Sequence, residues 1–222
     1  MSVIVKICGL STSEALDAAL DAGADMVGFV FFPPSPRNIS FKTASALESR
    51  VRGRAKKVAL SVDADDTLLS YVVDALGPDM LQLHGNESAM RVAAIKAKFK
   101  LPVMKAIPVE NKGDLAAIAR YAAVADQLLF DARAPHDATR PGGLGKAFDW
   151  HLLEKLNPGV PFMVSGGLNA ENVGEALRIT RAPGVDVSSG VERAPGQKDL
   201  DKIRGFIRAA RDAAAKLIDR VA

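Results

Sequence analysis

The feature that most constrains the fold is an eightfold alternation of short apolar runs with segments that carry helix signals. The apolar runs occupy residues 3–8, 25–31, 57–62, 80–84, 103–107, 127–130, 161–164 and 185–187. A nearly continuous apolar run such as 25–31 is typical of a strand that is buried on both faces of a parallel sheet. Because eight strand–helix units close into a (β/α)8 TIM barrel, we predict an α/β fold with a single domain over residues 1–222.

An open, doubly wound sheet is the alternative architecture. Such a sheet usually has fewer strands and a Gly-x-Gly-x-x-Gly pattern after its first strand, whereas Cys8-Gly9-Leu10 stands at that position here. No Gly/Ser-rich or Pro-rich linker divides the chain. We therefore favour the closed barrel.

Helix signals follow the apolar runs. We expect Thr12 or Ser11, then Ser40, then the segment 63–66 to cap the first three helices. The fourth helix is expected to begin at Asn86-Glu87. The later helices are expected at 112–123, around 148–150, from Asn169 onward, and from about residue 199 to the end.

Composition excludes several classes of function. Lys and Arg number 29 against 26 Asp and Glu, a net charge of only +3, and aromatic residues make up 5%. This argues against a nucleic-acid-binding surface. The longest apolar run, 26–32, is far shorter than the roughly 20 residues of a membrane helix. The single cysteine forms no internal disulfide, and no signal peptide is evident, so we expect a soluble cytoplasmic protein.

Two glycine- and serine-rich loops follow the last two strands. Ser165-Gly166-Gly167 follows strand seven, and Ser188-Ser189-Gly190 follows strand eight. In barrel enzymes these two loops often bind phosphate, because glycine lets backbone amides approach an anion and a helix N-terminus adds positive charge. Either loop alone is compatible with simple turn formation. The pair predicts binding of a phosphorylated small molecule.

Two further strand ends carry groups able to transfer protons. Cys8 ends the first strand, and as a thiolate it accepts a proton if amide dipoles or a basic group lower its pKa. The alternative is a buried, unreactive thiol. Asp131 follows an apolar strand, where a carboxylate is costly unless it is paired, caps a helix or is functional. These residues are the candidate catalytic groups.

Arg37 and the histidines complete the candidate site. Three prolines stiffen the loop that carries Arg37, which suits a carboxylate clamp, although a solvated loop arginine is the ordinary alternative. His84 is either a substrate ligand or a satisfied strand-end histidine. Nothing arranges His136 and His151 as metal ligands, and no HExxH or CxxC pattern occurs. We predict no metal and no cofactor.

Ordered motifs along nearly the whole chain resemble the phosphoribosylanthranilate isomerase family. The motifs are Lys6-Ile-Cys-Gly9, Gly28-Phe-Val-Phe31 with Ser35-Pro-Arg37, Leu81-Gln-Leu-His-Gly85, Leu129-Phe-Asp131, Gly142-Gly-Leu-Gly145 with Phe148-Asp-Trp150, Gly166-Gly-Leu168 with Asn172-Val173, and Asp186-Val-Ser-Ser-Gly-Val-Glu192 with Gly196-x-Lys198-Asp199. Each motif is common by itself. The ordered set is specific.

The resemblance implies a cofactor-independent Amadori rearrangement of N-(5-phosphoribosyl)anthranilate in tryptophan biosynthesis. Asp131 is then the general acid that opens the ring, and Cys8 is the general base at C2. Arg37 is expected to hold the anthranilate carboxylate, with His84 among the substrate-binding residues. Amides around Gly166, Gly167, Ser188, Ser189 and Gly190 are expected to hold the phosphate. Ser165 replaces the alanine common in the family, and we expect a neutral effect or an extra phosphate-side hydroxyl.

Other functions remain open at this level. A metal-dependent epimerase needs ligating histidines and carboxylates, and a lyase needs a Schiff-base lysine, for which Lys6 and Lys105 are available. A non-catalytic phosphate-binding barrel or regulatory subunit is a third possibility. A two-substrate isomerase fits less well, because such enzymes rely on an aspartate base. Neither Asp63 nor the segment 132–140 has an assigned role, and the chain is expected to be a monomer or a homodimer.

Overall fold

The computed structural model describes residues 3–135, 137–145 and 147–219. Eight parallel strands close into a barrel in sequence order, with the eighth paired to the first. The strands are β1 Ile4–Cys8, β2 Met26–Phe31, β3 Lys56–Ser61, β4 Met80–Leu83, β5 Val103–Val109, β6 Gln127–Ala132, β7 Phe162–Val164 and β8 Gly184–Val187. The predicted (β/α)8 barrel is confirmed.

Helices surround the barrel, and most begin at a capping side chain. They are α1 Ser13–Asp21, α2 Phe41–Val51, α3 Asp66–Leu76, α4 Ala89–Phe99, α5 Ile118–Ala122, α6 Val173–Thr180 and α7 Leu200–Asp219. Thr12, Ser40 and Asp65 cap the first three helices as predicted, each accepting a hydrogen bond from a backbone amide of the first turn. No helix in the described ranges is both long and apolar enough to cross a bilayer.

The helical layer differs from prediction at several places. The helix expected after β6 is only a 3₁₀ turn, Trp150–Leu153, because Asn157-Pro158-Gly159 follows closely and stops it. The segment after β5 is a 3₁₀ turn, Lys112–Ala117, followed by the short α5. Strand–helix alternation is therefore preserved in topology, but two of its helices are reduced to short turns.

Two helices start later than expected. Helix α4 begins at Ala89 with Ser88 as its cap, since the carboxylate of Glu87 is occupied by the amides of Asp63 and Gly85. Helix α6 begins at Val173 rather than Asn169. The Asn169 side chain accepts from the amides of Glu171 and Asn172, which forms a turn that delays the helix.

A small antiparallel hairpin lies between β8 and α7 and was not predicted. It consists of β9 Glu192–Ala194 and β10 Gln197–Lys198. A 3₁₀ turn, Ser189–Val191, leads into it. The hairpin places Glu192 and Lys198 opposite each other at the rim of the barrel.

Strand parity decides which side chains enter the barrel. Successive residues of a strand point to opposite faces, and an interior cluster contains Met26, Met80, Met104, Leu129 and Met163. Ile4 of β1 packs against this cluster, and Gly184 of β8 adjoins Met163, so residues two and four positions along these strands share that direction. Lys6, Cys8, His84, Asp131 and Asp186 therefore share the inward direction, whereas Lys105 points outward to the helices.

Candidate active site

The carboxyl ends of the strands surround a cleft that is open to solvent. Eight of the predicted site residues line it: Cys8, Arg37, His84, Asp131, Gly166, Gly167, Ser188 and Ser189. Gly190 lies in an adjoining depression that Gly167 and Ser189 also line. The fold thus brings all nine predicted residues to the same rim.

Cys8 is buried at the end of β1, and Gly28 on the neighbouring strand leaves room for its sulfur. A Cβ at Gly28 would lie 2.9 Å from Cys8 Sγ. Burial raises the pKa of the thiol above its ordinary value, and Asp186 adds to the rise, while the ammonium groups of Lys6 and Lys198 oppose it. Basic groups therefore do adjoin the thiol, but the net shift is upward, because desolvation outweighs them.

A buried ion pair lies directly beneath Cys8. Lys6 Nζ is 2.9 Å from Asp186 Oδ1, and neither side chain is more than 5% exposed. Burial alone lowers the pKa of Lys6, but Asp186 and Cys8 outweigh it and raise the value. Ser165 Oγ lies 3.5 Å from Asp186 Oδ2, so the unusual serine faces this pair.

Asp131 forms one end of a hydrogen-bonded chain across β4 and β6. His84 Nε2 is 3.1 Å from Asp131 Oδ2, and Gln82 Nε2 is 3.0 Å from His84 Nδ1. The other carboxylate oxygen of Asp131 accepts from the amide of Ala132. With Gln82 donating to Nδ1, the His84 proton sits on Nε2 and is donated to Asp131. His84 is thus placed as a direct partner of the candidate acid.

Arg37 is buried rather than solvated. Its Nε and Nη2 each lie 2.8 Å from an oxygen of Glu192, and Nη2 also donates to the carbonyl of Gly143 at 3.1 Å. Such a two-pronged contact fixes the plane of the guanidinium. The remaining nitrogen, Nη1, has no hydrogen-bond partner among the described residues.

The two glycine-rich loops touch each other at Gly190. A Cβ there would lie 1.8 Å from the carbonyl oxygen of Leu168, so only glycine permits this approach. Ser188 Oγ donates to the carbonyl of Cys8, which joins the second loop to β1. A 3₁₀ turn, Ser189–Val191, directly follows the second loop, and the predicted last helix begins later as α7. The first loop is separated from α6 by the 169–172 turn, so no α-helix starts directly at either loop.

The segment after β6 lies against the candidate catalytic groups. A Cβ at Gly142 would be 2.6 Å from Asp131 Oδ2 and 2.9 Å from His84 Nε2. A Cβ at Gly143 would be 2.5 Å from Arg37 Nη1. Within this segment, His136 and Lys146 lie outside the described residues. The segment therefore covers Asp131 and Arg37 with backbone that has no room for side chains.

The lysines considered for Schiff-base chemistry are both committed to buried ion pairs. Lys105 Nζ lies 2.9 Å from Glu87 Oε2 and also donates to the carbonyls of Leu83 and Gly85. Neither Lys6 nor Lys105 lines the cleft. Asp63, which had no assigned role, accepts from the amide of Asn86 and joins two rim loops. Among the described residues, no cluster of three or more His, Cys, Asp or Glu side chains suited to a metal ion occurs.

Sequence reasoning missed Glu192 and Lys198. Glu192 contacts Arg37 across 155 positions of sequence, and Lys198 contacts Glu192 through a hairpin. The Pro195-Gly196 dipeptide is a turn signal that could have indicated this hairpin. A second signal was the presence of Glu192 and Lys198 in the last of the ordered motifs. Taken together, a closed parallel barrel with a thiol, a carboxylate and two glycine-rich loops at its carboxyl rim defines the class of (β/α)8-barrel enzymes.

Comparison with known proteins identifies the family. Residues 5–209 match the model of N-(5'-phosphoribosyl)anthranilate (PRA) isomerase. An N-(5'-phosphoribosyl)anthranilate isomerase of Bradyrhizobium sp. (strain ORS 278) is 65% identical over 213 residues, which is 96% of this chain and 97% of the relative.

Comparison with solved structures supports the same family. A phosphoribosyl anthranilate isomerase in complex with reduced 1-(o-carboxyphenylamino)-1-deoxyribulose 5-phosphate has a TM-score of 0.82 and 33% identity, covering 95% of this chain and 99% of that one. Monomers of the dimeric enzyme from Thermotoga maritima have a TM-score of 0.81 and 34% identity, with the same coverage. The chain belongs to the N-(5'-phosphoribosyl)anthranilate isomerase family, and the predicted enzyme class and activity in tryptophan biosynthesis are confirmed.

Proposed function

We propose that this chain rearranges N-(5-phosphoribosyl)anthranilate by general acid–base catalysis, with Asp131 as the acid and Cys8 as the base. The observation that carries the proposal is that both groups line one cleft, on inward positions of β6 and β1, beside two glycine-rich loops. The proposed chemistry uses protein side chains only and no cofactor. All the residues invoked belong to one barrel, so residues 1–222 would form a single catalytic domain.

The proposed steps balance without an oxidant. Protonated Asp131 donates its proton to the furanose oxygen, the C1–O bond breaks, and the amine nitrogen forms a Schiff base. The thiolate of Cys8 then removes the C2 proton, and the released electron pair forms the C1=C2 bond of an enolamine while the C1=N π pair returns to the nitrogen. Tautomerisation places a proton on C1, releases the proton of the C2 hydroxyl and yields the ketone. General acid–base steps of this kind typically contribute 10²–10⁴-fold each.

The Gln82–His84–Asp131 chain supports the acid role. Among the described residues, Gln82 Oε1 is buried and has no hydrogen-bond partner. If the amide turns over, Oε1 accepts a hydrogen bond from His84 Nδ1–H, and His84 Nε2 then accepts a hydrogen bond from protonated Asp131. The same three side chains can therefore serve both protonation states of the acid. On this reading His84 assists through Asp131 rather than binding the substrate alone.

Binding roles follow from charge and geometry. The free Nη1 of Arg37 is proposed to contact the anthranilate carboxylate. Amides of Gly166, Gly167, Ser188, Ser189 and Gly190 are proposed to hold the phosphate, since glycine-rich loops after the last two strands of a barrel are a common phosphate site. Because a catalytic Cys8 must stay reduced, we place the enzyme in the cytoplasm. We propose a monomer or a homodimer, two forms also named for the Thermotoga maritima relative.

The test is turnover of freshly prepared phosphoribosylanthranilate, followed as the change in anthranilate fluorescence, for the wild type and for Cys8→Ser. We expect wild-type turnover and a variant reduced at least 100-fold in kcat. Both proteins should bind the reduced product analogue with similar affinity. Wild-type turnover with a fully active Cys8→Ser would remove Cys8 from the mechanism.

A further inference from the structure

We propose that Glu192 and Lys198 are positioning residues that aim Arg37 and set its charge environment, and so determine the preference for an aryl amine that carries an ortho carboxylate. The inference deepens the function proposed above, because it assumes that Arg37 meets the substrate carboxylate. Glu192 and Lys198 are not proposed to touch the substrate.

Glu192 fixes the orientation of Arg37. Glu192 engages Nε and Nη2 at 2.8 Å each, with both side chains only 4% exposed. Two parallel contacts leave the guanidinium no freedom to rotate. Nη1 is then the one guanidinium nitrogen left for a ligand among the described contacts, and Arg37 lines the cleft. A carboxylate that approaches Nη1 meets a donor whose direction is already set.

Lys198 changes the net charge around Arg37 and Glu192. Lys198 Nζ lies 2.9 Å from Glu192 Oε1, again with both side chains buried. Burial by itself raises the pKa of Glu192, but the hydrogen bonds from Arg37 and Lys198 outweigh this and lower it, so Glu192 is ionised at neutral pH. The pKa of Lys198 is lowered, because burial outweighs the opposing charge of Glu192. In the state in which Lys198 is protonated, one carboxylate balances two cations.

A buried group of three with one excess positive charge is unfavourable in the empty protein. An anion arriving at Nη1 neutralises the excess, whereas an uncharged ring substituent does not. The trio therefore favours a carboxylate over a hydrogen atom at the same position of the ring. This charge discrimination would be lost if Arg37 faced Glu192 without Lys198.

The β9–β10 hairpin packs against the loop that carries Arg37. The amide of Gly196 donates to Glu192 Oε2 at 3.2 Å. A Cβ at Gly196 would lie 2.4 Å from the carbonyl oxygen of Pro36, so the hairpin turn packs directly on the residue before Arg37. Lys198 Nζ also donates to the carbonyl of Ser188 at 2.8 Å. The β9–β10 hairpin thus holds its two charges in a fixed place.

The test compares two stable ligands by calorimetry. One is reduced 1-(o-carboxyphenylamino)-1-deoxyribulose 5-phosphate, and the other is its counterpart made from aniline, which lacks the ring carboxylate. The readout is the Kd of the aniline ligand divided by the Kd of the ligand that carries the carboxylate. We expect Glu192→Gln and Lys198→Met each to lower the wild-type ratio at least tenfold. Binding of the aniline ligand should change less than threefold.

The double variant Glu192→Gln/Lys198→Met separates orientation from charge. It retains one net positive charge, as the wild type does, and removes the carboxylate that holds Arg37. We expect its ratio to remain at least tenfold below the wild-type ratio, because Arg37 is no longer held. A ratio restored to the wild-type value would overturn the orientation argument.

Glu87→Gln is the matched control, since Glu87 is a buried carboxylate paired with Lys105 on the opposite side of β5. Its ratio should equal that of the wild type. Equal weakening of both ligands in the Glu192 and Lys198 variants would indicate a structural role only and would refute the inference. Failure of the wild type to bind either ligand would instead contradict the proposed function.

Discussion

His84 Nε2 and Asp131 Oδ2 lie 3.1 Å apart, and the backbone of Gly142 packs against both atoms. A candidate acid is thus hydrogen-bonded to an imidazole on one side and covered by a glycine on the other. Its neighbours come from β4, from β6 and from the segment that follows β6. This arrangement leads to the first two predictions.

Asp131→Asn should lower kcat by about 100- to 1,000-fold, because the amide cannot donate the proton that opens the ring. The substitution is close to isosteric, so the contact with His84 and the thermal midpoint should be largely retained. Steady-state kinetics and calorimetry with the reduced product analogue check both points. Near-full activity would show that Asp131 is not the acid.

Gly142→Ala should lower kcat/KM about tenfold or more without loss of stability. The added methyl group has no room beside Asp131 and His84, so the segment after β6 cannot keep its position over the cleft. Gly205→Ala is the control, since a Cβ there meets nothing within 4 Å. In the interior of α7 it should stabilise the protein by about 1 kcal/mol and leave the kinetics unchanged. Unaltered kinetics in Gly142→Ala would mean that the segment plays no part in catalysis.

Lys6→Met should move the pH dependence of kcat/KM to higher pH. The thiolate is the reactive form of Cys8, and its pKa is already raised by burial. Lys6 opposes that rise, so its removal raises the pKa further and lowers the thiolate fraction at neutral pH. The profile should be recorded from pH 6 to 10.

The matched control for Lys6→Met is Lys105→Met, which breaks a buried pair of the same kind outside the cleft. Both variants should lose stability, by about 3–5 kcal/mol for an orphaned buried charge. Only Lys6→Met should shift the profile. A proportional fall at every pH in Lys6→Met would argue against an electrostatic effect on Cys8.

Glu192→Gln should destabilise the protein at pH 6, and the difference from the wild type should shrink toward pH 3. The pKa of Glu192 is lowered on folding, so its stabilising contribution is present above the pKa of the unfolded chain, about 4.3. It is lost as pH falls through the folded value. Urea unfolding at several pH values measures this. A constant difference across the range would show that the charge of Glu192 does not stabilise the fold.

Much of the fold and the site could be predicted because both depend on short-range patterns. Apolar runs with flanking caps specify the eight strands, and a strand-end position specifies that Cys8, His84 and Asp131 meet at the rim. The partner of Arg37 could not be predicted in the same way. Glu192 is 155 positions away, and no local pattern distinguishes a carboxylate that pairs with an arginine from one that faces water.

The helical layer was predicted less well for a related reason. The 112–123 and 148–153 segments have apolar residues at helical spacing, but Gly113 and Pro158 shorten what the spacing alone suggests. The turn at 169–172 depends on asparagine side chains that compete for backbone amides. These local effects are individually small, and tertiary packing decides among them.

Closure of the barrel has a consequence for synthesis on the ribosome. The free edge of β1 pairs with β8. The ion pair of Lys6 and the β1 pairing can therefore form only after Asp186, 180 positions later, has been synthesised. At 5–20 residues per second this delay is roughly 10–40 s. During that interval a nascent chain carries an unsatisfied strand edge beside an unpaired lysine and a reduced thiol, which makes the emerging N-terminal half the part most in need of chaperone protection.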